Sequence, residues 1–114
     1  MNPNYNRDPE TNLQVPLNST MANHAIHVWK YYVRSAGFKN ILIIAHSAGG
    51  FCLEKIQLKD SKFFFENVKK IAITDSMVIN KHLLNQSQKT FMRENCVHYI
   101  KSKRDLGTQL RRVV

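Results

Sequence analysis

Residues 41–50 read ILIIAHSAGG, an apolar run that passes into a serine flanked by small residues. The isoleucine-rich part, Ile41–Ala45, has the length of a strand, and its continuous apolarity predicts burial on both faces, as in a parallel sheet. Residues 47–50 predict a turn, and residues 50–58 predict a helix. Strand, serine turn and helix in this order indicate a nucleophile elbow, in which small neighbours let the backbone turn sharply. Ser47 is therefore predicted at the elbow, with Ala45 where the pattern has its first glycine.

The segments around the elbow alternate between helix and strand patterns. Ser19 or Thr20 can cap a helix that runs to Gly37, which suits a left-handed helix end. Residues 63–68 favour a further helical piece, 71–74 a second short strand, and 86–101 a last helix. This order predicts an α/β fold: a fragment of an α/β-hydrolase-like parallel sheet with flanking helices. With two strands visible, the sheet edges require further neighbours.

We divide the chain into three parts by composition. Residues 1–18 hold all three prolines and five asparagines and are predicted as a loop-like segment. Residues 19–102 form a partial α/β-hydrolase-like domain. Residues 103–114 form a basic C-terminal tail.

The charge balance is strongly basic, with 17 lysines and arginines against 8 acidic residues and a net charge of +9. Such a surface either is simply solvated or attracts nucleic acid, and no zinc-finger, RNP or basic-zipper pattern supports the second interpretation. Two cysteines without a metal or disulfide spacing favour an intracellular setting, nuclear or cytoplasmic. The longest apolar run is too short to span a membrane, so we expect no membrane partner.

Catalysis at the elbow would need several further groups. Ser47 would be the nucleophile, the backbone N–H of Ala48 an oxyanion donor, Asp75 the acid, and His82 or His98 the base. Each has a structural alternative: Ser47 as an inert turn, Asp75 as a turn or cap residue, and His98 as a side chain inside the last helix. The side chain of His46 should face away from the serine. Because the second oxyanion donor and a well-placed base have no evident source, we expect no catalysis.

Neither a metal nor a cofactor is expected. His24 and His27 lie three residues apart on the first helix, but two histidines without a third ligand do not make a metal site. The aromatic run Phe63–Phe65 is predicted to be core and docking surface.

Several motifs together resemble the Argonaute-binding-protein-two (Arb-two) domain family, whose animal members are called cotranscriptional regulators. Their distances along the chain make the combination more specific than the elbow alone. The segments that carry the resemblance are Asn2–Asn6, His24 with Val28-Trp29, Ile44–Gly50, Thr74-Asp75-Ser76 and Met92–Cys96.

The resemblance implies a hydrolase-like fold, with Ser47 as the elbow serine and Asp75 as the strand-end acid. It also implies protein partners: Argonaute, chromatin or splicing factors. Family domains extend on both sides of this region, so we expect a truncated or pseudogene-derived member and a non-catalytic role in silencing or splicing regulation. A serine hydrolase using Ser47 is the alternative, and a basic nucleic-acid-binding module is the second alternative.

Overall fold

The computed structural model describes residues 10–13, 16, 18–76 and 81–110. The family-like segment Asn2–Asn6, most of the predicted loop-like segment and the end of the basic tail lie outside the described residues. The described elements, in chain order, are α1 (Met21–Val28), a π-helical stretch (Trp29–Arg34), β1 (Ile41–His46), α2 (Gly49–Lys59), α3 (Ser61–Asn67), β2 (Val68–Thr74), a 3-10 turn (Lys81–Leu83), α4 (Gln86–Asn95) and β3 (Cys96–Tyr99).

The first helical segment begins and ends where the sequence predicts. The Thr20 side chain accepts a hydrogen bond from the N–H of Asn23 at 3.0 Å, which satisfies one of the free donors at the start of α1. After Val28 the helix widens into the π-helical stretch. Gly37 then takes a φ of +72°, a conformation that costs glycine little and other residues more.

The three strands form one parallel sheet in the order β1-β2-β3. The predicted parallel pairing of the first two strands is confirmed, with Ile44 opposite Ala72 and His46 opposite Thr74. β2 begins at Val68, three residues before the predicted start, and the register of its pairing with β1 shifts between Ile41 and Leu42. The chain from β1 to β2 crosses over through α2 and α3, as parallel neighbours require.

The prediction of a helix over residues 86–101 is wrong beyond Asn95. A capping box between Asn85 and Gln88 starts α4, but Cys96–Tyr99 then forms β3 beside β2. These four residues alternate between half-buried and exposed, the period of a strand, and Val97 and Tyr99 favour extended backbone. The sheet therefore has three strands, and Cys96 and His98 belong to a strand.

The helices cover one face of the sheet and form the core with it. Phe64 and Val68 are fully buried there, and Phe64 contacts Trp29 with ring centroids 5.6 Å apart. Asp60, between α2 and α3, accepts hydrogen bonds from Trp29 Nε1 and from Arg34 Nη1, both at 2.9 Å. The predicted core role of the Phe63–Phe65 run is confirmed for Phe64, while its two neighbours pack half-buried against the core.

The opposite face of the sheet is open, which contradicts the prediction that β1 is buried on both faces. Leu42 is 72% exposed and Ile44 is 82% exposed, whereas Ala45 is buried on the covered face. The continuous apolar run gave no means of telling the two faces apart, since a strand with one covered face usually alternates with polar residues. Apolar side chains therefore lie in solvent along one side of β1.

Replacing Phe64 with alanine should strongly destabilise the fold. The side chain is fully buried between the helices and β2, and truncating such a phenylalanine typically lowers the free energy of unfolding by about 3–5 kcal/mol. Urea denaturation followed by Trp29 fluorescence measures the change. Phe38→Ala, the same truncation at a side chain 56% exposed, is the matched control and should stay within about 0.5 kcal/mol. Equal midpoints for the two variants would contradict this core.

Candidate functional site

Ser47 lies in the sharp turn that joins β1 to α2. Its φ is +52°, a left-handed conformation that costs a non-glycine residue roughly 1–3 kcal/mol and persists only where the surroundings enforce it. The Ser47 N–H donates to the carbonyl of Thr74 at 3.0 Å, and its own carbonyl accepts from the N–H of Gly50 at 3.2 Å. The side chain is exposed. The predicted order of strand, serine turn and helix is thus present.

Ala48 precedes the first turn of α2. Its carbonyl accepts hydrogen bonds from the N–H groups of Phe51 and Cys52, which closes the start of the helix. The N–H groups of Gly50, Phe51 and Cys52 are thus engaged within this turn, which leaves the N–H of Ala48 as the candidate oxyanion donor. A Cβ on Gly49 would lie 3.6 Å from the Cβ of Ala45, so the small residues on both sides keep the turn tight.

Asp75 follows β2 and also has a left-handed backbone, with φ at +43°. Its N–H donates to the carbonyl of Tyr99 at 2.9 Å, and its Oδ1 accepts from the N–H of Lys101 at 2.8 Å. Both contacts join the end of β2 to the end of β3, on the side away from β1. The carboxylate of Asp75, the predicted acid, therefore stabilises the backbone that follows β3 through its Oδ1.

Ser76, which belongs to the family-like segment Thr74-Asp75-Ser76 but was not predicted as a site residue, contacts groups at the ends of all three strands. Its hydroxyl donates to the carbonyl of Ser47, and its N–H donates to Nε2 of His98 at 3.3 Å. His98 lies on β3, so its predicted place inside a helix is wrong. In this contact His98 Nε2 is the acceptor, so the imidazole ring stabilises the turn after β2.

The other histidines are placed as follows. His82 is exposed in the 3-10 turn, and His46 shares a hydrogen bond of 2.9 Å with the hydroxyl of Thr74 through its Nδ1. Within the described residues, neither a histidine ring nor a carboxylate is hydrogen-bonded to the Ser47 hydroxyl. The fold therefore brings Ser47, Asp75 and His98 to one edge of the sheet without joining them into a relay.

The histidine pair on α1 makes contacts of other kinds. His24 Nδ1 lies 2.6 Å from the side-chain oxygen of Asn18, and the His27 ring packs on Tyr31 with centroids 4.7 Å apart. Across the described part of the chain, no group of three histidine, cysteine or acidic side chains is arranged to hold a metal ion. Nor does any helix in that part combine the length and apolar character needed to cross a membrane.

Comparison with known proteins gives one family match. The family model of the Arb2 domain matches residues 2–106. The chain is 31% identical over 110 residues to the cotranscriptional regulator ARB2A homolog of Xenopus tropicalis and 28% identical over 99 residues to human cotranscriptional regulator ARB2A. The matches cover 94% and 86% of this chain but 26% and 24% of those relatives, so the chain spans about a quarter of their length. No solved structure matches.

The Cys52 thiol, one turn into α2, should be unreactive in the folded chain. Burial raises the pKa of the Cys52 thiol, and its backbone hydrogen bond opposes this effect. Since the thiolate is the reactive form, disulfide exchange with Ellman's reagent at pH 8 should be slower than in denaturant by about tenfold or more. A Cys96→Ser variant isolates this thiol. Reaction at the denatured rate in native buffer would show that α2 is not packed on the sheet.

Proposed function

Because the chain belongs to the Arb2 domain family, we propose that it acts as a non-catalytic interaction domain in cotranscriptional regulation. The relatives named above are cotranscriptional regulators, and the similarity spans most of this chain. A regulator of this kind works through protein contacts, so its partner is a protein of a transcription-coupled complex. Action in the nucleus follows from the same role.

The proposal that the domain is non-catalytic rests on the hydrogen bonds that the polar groups at the strand ends make. Asp75 accepts the N–H of Lys101, His98 accepts the N–H of Ser76, and Ser76 donates to the carbonyl of Ser47. Each of these hydrogen bonds has a backbone N–H or carbonyl as one partner and so stabilises the turns after the strands. A serine hydroxyl without an adjacent base is a weak nucleophile. The elbow is thus interpreted as a structural turn that fixes how β1 and α2 meet.

We propose three further features of the chain on the same basis. These are a hydrolase-like sheet, partners among Argonaute, chromatin or splicing factors, and a division into segments 1–18, 19–102 and 103–114. The elbow at Ser47 supports the first, since the α/β-hydrolase sheet places its serine at such a turn. The family resemblance supports the proposed Argonaute, chromatin or splicing partners.

Two other functions compete with this proposal. A serine hydrolase is favoured by the exposed side chain of Ser47 and by the position of the Ala48 N–H directly before α2. A nucleic-acid-binding role is favoured by the net charge of +9. The two leave different signatures, since electrostatic binding to RNA weakens steeply with added salt whereas covalent labelling of a serine does not.

The chain should not react with a fluorophosphonate probe. Such probes label serines whose hydroxyl is activated by a base, and no histidine or carboxylate among the described residues is hydrogen-bonded to the Ser47 hydroxyl. The experiment compares labelling of the chain with that of its Ser47→Ala variant by mass spectrometry. Labelling of both at the same trace level is the expected result.

A Ser76→Ala variant serves as the second control, because it removes a neighbouring hydroxyl and leaves Ser47 in place. Stoichiometric labelling that disappears with Ser47→Ala and persists with Ser76→Ala would establish an activated serine. The hydrolase function would then replace the proposed one.

A further inference from the structure

The open face of the sheet contributes no side chain to the hydrogen bonds of Ser47 among the described residues. It consists of Leu42, Ile44 and His46 from β1, Lys70, Ala72 and Thr74 from β2, and Val97 and Tyr99 from β3. Side chains of neighbouring strands align there in rows, and one row runs Ile44, Ala72, Val97. We use the name open face for these eight residues.

The exposure of this face is unusual for its topology. Parallel sheets are almost always covered on both faces, and contiguous apolar surface marks a place where something else packs. Here Ile44 is 82% exposed, Tyr99 61% and Val97 52%. On β2, Ile71 and Ile73 lie on either side of the open-face residue Ala72, and both are buried on the other side of the sheet.

The dimensions of the open face suit one helix. Strands in a sheet lie about 4.8 Å apart, so the outer strands β1 and β3 are separated by roughly 10 Å. This is about the diameter of an α-helix with its side chains. The six residues of β1 extend roughly 20 Å, which matches about 14 helical residues. Helices are also the elements that ordinarily cover parallel strands.

The charge on and around the open face selects the kind of helix. Lys70 lies on the face opposite Leu42, and its Nζ donates to the side-chain oxygen of Asn95 at 2.9 Å. Lys39, before β1, and Lys101, after β3, are exposed at opposite ends of the sheet. No member of the open face is acidic. With a net charge of +9, two copies of the chain repel each other, whereas an acidic partner is attracted.

We propose that the open face is a docking surface for an amphipathic helix of a partner protein that carries acidic residues on both sides of its apolar stripe. The stripe covers Leu42, Ile44 and Val97, and the acidic flanks lie near Lys39, Lys70 and Lys101. This inference rests on the proposed role as an interaction domain, and it adds the surface and the chemistry of the partner.

Two synthetic peptides of about 14 residues test the charge preference. Both have the same leucine stripe at helical spacing, with glutamate flanks in one and lysine flanks in its twin. Binding to the full chain is measured by the fluorescence anisotropy of a label on the peptide. The glutamate peptide should bind at least about tenfold more tightly than the lysine peptide, and added salt should reduce the difference.

The double variant Ile44→Thr/Val97→Thr tests the location. Threonine keeps the branched shape and strand preference of the native residues, and far-ultraviolet circular dichroism verifies that the sheet remains. The matched control Leu58→Thr/Leu83→Thr removes apolar side chains that are 41% and 50% exposed elsewhere. Glutamate-peptide binding should weaken by at least about tenfold in the face variant and by less than about threefold in the control.

Several results would overturn the inference. Equal affinity for the two peptides, or equal loss in the two variants, would remove the docking surface. A concentration-dependent dimer that the face variant abolishes would assign the face to a second copy, and tight binding to phosphatidylserine vesicles with no peptide preference would assign it to a lipid surface. If Ser47 stays unlabelled in any of these cases, the docking inference fails alone and the non-catalytic role stands.

Discussion

The hydrogen bond from the Ser47 N–H to the Thr74 carbonyl closes the parallel ladder between β1 and β2 at the point where the chain must leave the sheet. To make it, Ser47 adopts a left-handed backbone, and the next residues turn at once into α2. The small side chains of Ala45 and Gly49 let the strand and the helix approach without a collision. The direction of α2 follows, and with it the placement of Leu53 and Ile56 over the sheet. In many folds such a turn positions a catalytic serine. In this chain it fixes the angle at which α2 packs on the sheet, and the core forms between them.

That core is one-sided. Helices cover the face that carries Val68, Ile71 and Ile73, and the aromatic contact of Phe64 with Trp29 joins α3 to the π-helical stretch. Asp60 strengthens the same junction, because its carboxylate accepts from both Trp29 and Arg34. The other face keeps apolar side chains in water, where they stabilise nothing. The open face therefore presents contiguous apolar surface.

Local signals in the sequence located much of this arrangement. The Thr20 cap, the left-handed Gly37, the strand before Ser47 and the helix after it are each set by a few neighbouring residues. β3 escaped prediction because Phe91, Met92, Cys96, Tyr99 and Ile100 recur at a spacing that a helix also satisfies, and only pairing with Ile71–Thr74 selects the strand. Tertiary contacts likewise direct the Asp75 carboxylate to Lys101 and bring Ser76 to Ser47. The sequence around Ser76 contains no pattern from which its hydrogen bond to the Ser47 carbonyl could be predicted.

The central claim is a three-stranded parallel sheet with one covered and one open face. Methyl NMR with a soluble paramagnetic probe tests it directly, since the probe broadens only the methyl groups that solvent reaches. The account predicts strong broadening for Leu42, Ile44 and Val97, and protection for Val68, Ile71 and Ile73. Equal protection or equal broadening of the two sets would contradict it.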